Sequence, residues 1–209
     1  SPLPGHWVQV DCFYVGKLKG VGEIWQITGT DIRTRIADVV IIAGRPTSQA
    51  TARFLDLLRR RWARRGFGLQ GVISDNGSEF LNHHLWRYMD QRRSPVAFTR
   101  SRPYHKDDQA HVEQKNWTWP RQLLGYGRLE EAALVEPICT VYKEVWGPLQ
   151  NFFLPCFKLK HKWRERSHWR KRYETPMTAY ARLCQRGILG RKQRSHLRER
   201  YASLDPFEL

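Results

Sequence analysis

The chain has 209 residues, 41% of them hydrophobic and 27% charged, enough for one well-cored domain with length left for an extension, and too apolar for a disordered polyelectrolyte. Thirty-six Lys+Arg against 20 Asp+Glu leave a formal net charge of +16, which draws polyanions and makes nucleic acid the first candidate partner. No apolar run nears the length of about 18 residues that a membrane span needs, and no basic amphipathic anchor with a clean apolar face is present, which argues against a membrane partner.

Taken in chain order, "HWVQVDCFYV" (6–15) is rich in Val and aromatics and reads as a buried strand carrying one acid, Asp11. "EIWQITGTDI" and "IADVVIIAG" are two further strands, joined by short links into an antiparallel meander. The period then changes. In "TSQATARFLDLLRRRWARRG", Ala50, Phe54, Leu57, Leu58 and Trp62 recur at helical spacing, with Thr47 or Ser48 as N-cap and Gly66 as the stop. "LQGVIS" predicts a fourth strand, followed by an Asp-Asn-Gly turn and a helix from about Ser78 that uses Leu81, Leu85, Tyr88 and Met89 as its apolar face. "PVAFT" is a short fifth strand, and after the loop "RSRPYHKDD" a helix begins near Gln109, with more helix at 130–146.

Meander strands followed by alternating strand and helix predict an α/β fold, a mixed sheet flanked by helices. We place the core in residues 1–150 and a basic, mostly helical extension in residues 151–209. Between Lys158 and Arg200 stand 15 Lys+Arg against three acids. There "KLKHKWRERSHWRKRY" interleaves Trp163, Trp169 and Tyr173 with cations. That pattern fits a nucleic-acid-binding surface, a solvated helical face, or aromatics packed on the core. Cys12, Cys139, Cys156 and Cys184 lack C-x-x-C or paired-His spacing, which fits neither zinc nor a disulfide framework and suits a reducing cytoplasm. The opening lacks a secretory pattern and an initiating Met, which fits a fragment that has lost an upstream domain.

Asp11 falls mid-strand and Asp75 at the end of the fourth strand, while Glu113 lies in the second turn of the helix from Gln109. In a mixed sheet the two strands can be neighbours, and Glu113 can dock beside them. Each acid alone reads equally as a hydrogen-bonded structural residue or a solvated helix charge. Three together would repel unless a cation neutralised them, and carboxylates without His or Cys favour Mg²⁺ or Mn²⁺.

Three blocks, "HWVQVDCF", "VISDNGSEF" and "RPYHKDDQAHVEQKN", decide between these readings, because together they resemble the integrase catalytic core of DDE transposases, the RNase H-like enzymes of insertion sequences and retroelements. The resemblance spans roughly residues 5 to 125, with 37 residues between Asp75 and Glu113. It implies an RNase H-like five-stranded mixed sheet and two Mg²⁺ or Mn²⁺ ions held by Asp11, Asp75 and Glu113. It further implies DNA cleavage and strand transfer at mobile-element ends without a covalent enzyme intermediate, and a homo-oligomer assembled on DNA. Such a protein would be cytoplasmic, and on the nucleoid when DNA-bound.

Glu79 is then a secondary motif acid, more simply a first-turn helix charge. His83 and His84 read as surface residues. The candidate DNA contacts are Arg102, Tyr104, His105 and Lys106 in the loop before Glu113, with Lys115 and Arg121 after it; cations suit phosphates, and Tyr104 suits base stacking. The loop reads equally as an ordinary basic surface, and the Arg cluster at 59–61, 64 and 65 as a solvated face.

The chain departs from the family pattern at Pro120, which stands seven residues after Glu113, where many members carry Lys or Arg. An H-H-C-C zinc module and a helix-turn-helix are not recognisable. Two alternatives stay open: an RNase H-like nuclease that hydrolyses without joining, and a catalytically decayed DNA-binding protein derived from a transposase.

Overall fold

The computed structural model describes residues 1–18, 20, 22–75, 87, 89–91, 95–101, 119–125 and 132–209. Its centre is a five-stranded mixed sheet. β1 (Val8–Leu18), β2 (Gly22–Asp31) and β3 (Ala37–Ala43) form the predicted antiparallel meander, and β4 (Gly71–Ser74) and β5 (Ala97–Arg100) add in parallel, giving the order β3-β2-β1-β4-β5. β1 is therefore the middle strand.

Strand alternation divides the sheet into two faces of different character. Val8, Val10, Cys12, Ile27 and Val72 face one way, into a core shared with Phe54, Leu55, Leu58 and Trp62 of α1 (Ser48–Arg64). Thr47 caps α1 by accepting the Ala50 N–H on its hydroxyl at 3.1 Å, as the sequence predicts. Arg61 and Arg64 in the last turn suit the helix dipole, and Gly66 (φ +95°) turns the chain away. A Cβ on Gly66 would lie 2.5 Å from the Gln193 side chain, so this glycine serves both the turn and the approach of a C-terminal helix.

The opposite face is more polar. Gln9, Thr28 and Thr30 are buried there, and Gln26 donates to the Thr28 hydroxyl at 2.8 Å while accepting from the Tyr142 hydroxyl at 3.1 Å. Helical residues 119–124, α2 (Val135–Val141) and a wide π-type turn, Tyr142–Trp146, cover it, while a second such turn, Leu149–Phe153, sends Phe152 to the α1 side. Asn151 grips edge strand β3, accepting from the Ala37 N–H at 2.9 Å and donating to its carbonyl at 2.8 Å; this satisfies backbone groups that an open edge would expose.

The segment after residue 150 differs from its helical expectation. It opens with a two-stranded hairpin, β6 (Leu159–Glu165) and β7 (His168–Tyr173), joined through Arg166, whose φ is +55°. Helix follows only in α3 (Ala179–Leu183) and α4 (Arg191–Ala202). The Leu159/Trp163 and Trp169/Tyr173 spacings of four residues mimic a helical stripe, but the chain reverses between them at Arg166–Ser167. The segment also packs on the main core, since Phe152, Ala179, Leu183, Leu189 and Leu197 join the cluster around Leu58 and Trp62.

Candidate functional site

The parallel pairing of β1 and β4 sets the site. Val8 stands opposite Val72, Gln9 opposite Ile73 and Val10 opposite Ser74, so one further step along both strands brings Asp11 abreast of Asp75. Neighbouring strands lie about 4.8 Å apart, and residues in register on parallel strands project to the same face. Asp11 thus lies on the polar face of β1, and Asp75 follows directly on the last residue of β4, the neighbouring strand. β4 stops at Ser74 while β1 runs on to Leu18.

Local structure fixes each group. Asp11 is half-buried, pairs across the sheet with the buried Thr28, and accepts the Cys12 N–H on Oδ1 at 2.8 Å. Asp75 is half-buried as well, and its carbonyl accepts from the Ser74 hydroxyl at 3.1 Å. The Ser74 carbonyl in turn accepts from the Ser101 N–H at 2.8 Å, tying the end of β4 to the exit of β5.

Phe13, two residues past Asp11 on the same face, carries the Arg121 guanidinium 5.7 Å from its ring centroid. Arg121 also donates to the Gly125 carbonyl at 3.5 Å. Helical residues 119–124 are anchored below by Trp119, buried and stacked on Tyr142 with ring centroids 6.4 Å apart. Pro120 thus sits within helical backbone, next to the anchor that holds Arg121 over β1.

Of the predicted site residues, Asp11, Asp75 and Arg121 lie among the described residues, Asp11 on β1, Asp75 directly after β4, and Arg121 against Phe13 of β1. Glu113, Arg102, Tyr104, His105, Lys106 and Lys115 lie outside the described residues, as do Glu79, His83 and His84. Among the described residues no group of three or more His, Cys, Asp and Glu side chains is placed to hold a metal. What is described is two carboxylates, Asp11 on β1 and Asp75 just after β4, and oxygen donors of this kind are those that hard cations take.

Two buried acids escaped the sequence reading. Asp31 accepts from the Gly5 N–H at 2.8 Å and from the Thr34 N–H and hydroxyl at 2.7 and 2.6 Å; burial, against those hydrogen bonds, pushes its carboxyl above the ordinary value. Asp38 accepts from the Trp62 indole at 2.7 Å and pairs with Arg61 at 3.0 Å and with Arg65. Both are structural; the partners of Asp38 stand 23 to 27 residues away, so its local sequence carries no signal, whereas Asp31 has a local partner in Thr34 as well as the distant Gly5 N–H.

No family model matches the chain. Over 183 residues it is 36% identical to the uncharacterized protein y4rM of Sinorhizobium fredii (strain NBRC 101917 / NGR234). The match covers 87% of the chain and 50% of that relative, so the chain spans about half the length of the curated protein it matches. Among solved structures it is similar to a chain in the cryo-EM structure of the simian T-cell lymphotropic virus intasome in complex with PP2A regulatory subunit B56 gamma. That likeness has a TM-score of 0.50 at 16% identity and covers 69% of this chain and 50% of the other. It is a likeness of fold. The chain is an α/β protein built on a five-stranded mixed sheet. Among its described residues no helix is long and apolar enough to cross a membrane.

Proposed function

We propose that this chain is the catalytic part of a DDE-type polynucleotidyl transferase of RNase H-like fold, a transposase or integrase that cuts DNA at mobile-element ends and joins the ends to a target. The observation that supports the reading is the parallel β1–β4 register, whose last pair, Val10 and Ser74, immediately precedes Asp11 and Asp75. The sheet order and the likeness of fold to a chain of a viral intasome support it.

In this reading Asp11 and Asp75 hold Mg²⁺ or Mn²⁺ together with Glu113, the acid the family motif supplies. Bound metal of this kind makes a water or a DNA 3′-hydroxyl a better nucleophile and stabilises the leaving oxygen. The chain's own part is orientation. Like charges on adjacent strands repel, so the pair is held in place by the sheet and by the Cys12 N–H, and it presents a negative site that a dication neutralises. Arg121, poised over Phe13 further along β1, offers a guanidinium to a DNA phosphate. The high positive charge attracts the DNA, and element ends are brought together by a second copy of the chain.

The test is Mn²⁺-dependent nicking of a labelled oligonucleotide, paired with strand transfer from a pre-cut end. Asp11→Asn and Asp75→Asn should each lower both activities by more than about a hundredfold, because several kcal/mol of charge stabilisation go with the ligand. DNA affinity should stay near that of the unaltered chain. Undiminished nicking by Asp75→Asn would remove that residue from the mechanism. Nicking without joining would make the protein a hydrolytic nuclease instead.

A further inference from the structure

The β6–β7 hairpin is a two-stranded ribbon with solvent on both sides: every residue of both strands is exposed. Such a ribbon gains little from its own packing, since two strands alone are marginal in water. Residues 159–173 carry seven cations against the single acid Glu165, which is paired with Arg170 at 2.7 Å. Trp163, Trp169 and Tyr173 are 46%, 59% and 48% exposed, so the aromatics do not pack the segment onto the core.

The register distributes these groups. Trp163 pairs with Arg170 and projects to one face; Arg164 pairs with Trp169 and projects to the other, with Lys162 Nζ 4.8 Å from the Trp169 ring centroid. Cations therefore occupy both faces, and the two indoles point in opposite directions. At the foot of the ribbon lies a cavity of about 510 Å³, lined by Arg33, Lys160, Arg172 and Arg182, with Glu174 the one acid among its described lining residues. Positive charge is crowded there. Burial, and then the Arg35 guanidinium with smaller contributions from Arg33 and Arg182, holds the Lys158 ammonium below its ordinary value against the pull of Glu174. Burial chiefly, with Arg182 adding, lowers Arg35 to about 10. Arg33, Lys160 and Arg172, which line the cavity, suit an anion there.

We propose that the β6–β7 ribbon docks into the major groove of duplex DNA, with its cations on the groove walls and one backbone phosphate in the cavity at its foot. A groove about 12 Å wide admits a two-stranded ribbon. Cations on both faces suit two phosphate walls. A single strand is disfavoured, because stacking platforms need aromatics in succession on one face and here they alternate. This docking goes beyond the proposed strand chemistry and stands without it, since binding is measured with divalent ions chelated.

The experiment titrates the full chain with a short labelled duplex in EDTA across a salt series from about 50 to 200 mM. The triple variant Lys162→Ala, Arg164→Ala, Lys171→Ala should bind roughly tenfold or more weakly, and its slope of log K against log salt should shrink by about 2.7, or 0.9 per lost phosphate contact. Removing the same charge from the exposed face of α1, by Arg53→Ala, Arg60→Ala and Arg64→Ala, should change that slope by less than about one.

Because the first triple could unfold the ribbon, the charge-keeping triple Lys162→Arg, Arg164→Lys, Lys171→Arg should retain affinity and slope. Equal losses in the ribbon and α1 triples, loss of slope in the charge-keeping triple, or single-stranded DNA binding as tightly as duplex would each overturn the proposal. So would polyglutamate displacing the duplex as well as an unlabelled duplex of equal charge does. Binding is read in EDTA, where the proposed chemistry does not run, which separates a failure here from a failure of that chemistry.

Discussion

Asp38 is a buried carboxylate with two guanidiniums and an indole N–H around it, and it shows how much of this protein's charge is structural. Burial works against its ionised form, but Arg65 first, then Arg61 and the Trp62 N–H, outweigh it and hold the carboxyl below the ordinary value. The sign follows. A depressed folded-state value contributes stability that is present above the unfolded value of about 3.9 and is lost as pH falls through the lower folded value. Asp38→Asn should cost about 3 kcal/mol at pH 7 in urea unfolding, because it strands Arg61 and Arg65 against a partly buried neutral group. It should also flatten the loss of stability below about pH 4, measured on the same samples. Asp31 acts in the opposite sense: its raised value means that protonation costs the fold less than ionisation does, so lowering the pH towards that value adds stability. Asp11 and Asp75 were legible because each sits in a motif at a strand position. Asp38 was not, because its partners come from the far end of α1; Asp31 was not either, although Thr34 is a local partner, because its burial and the Gly5 N–H depend on the fold.

At the scale of elements, α1 and the meander follow their sequence signals closely, down to the Thr47 cap. Gly29 is where they meet. Its position opposite Val10 turns it to the α1 face, and a Cβ there would come within 2.5 Å of Leu58 Cδ1 and 3.3 Å of the Phe54 ring. Gly29→Ala should therefore destabilise by about 1–3 kcal/mol through overpacking, read from the denaturation midpoint. Leu58→Val in the same chain should recover part of the loss if the clash is the cause. The hairpin is the element that sequence reading missed. Apolar spacings of four residues on each side of Arg166–Ser167 look helical, and only cross-strand pairing, with its Glu165–Arg170 and Lys162–Trp169 contacts, favours the ribbon.

For the whole molecule, the decisive packing is that of the C-terminal segments on the α1 face. Leu183 is fully buried in the core that holds Val8, Leu58 and Trp62. Leu183→Ala should cost about 2–5 kcal/mol. Tryptophan fluorescence and far-UV circular dichroism should then lose structure together in a single transition at lower temperature. Two separated transitions would show that residues after 150 fold on their own.

The chain's sequence by itself determined the strand meander, the amphipathic α1, the two acids at strand positions and the excess of positive charge. Those are local or additive properties, carried by periodicity, caps and composition. Tertiary structure alone decided that β4 lies parallel to β1, with Val10 opposite Ser74. It also decided that Asp31 and Asp38 are buried and satisfied, and that the basic tail opens as a ribbon before returning to the core. Each of those depends on contacts between residues far apart in the chain, whose energies no window of neighbouring residues contains.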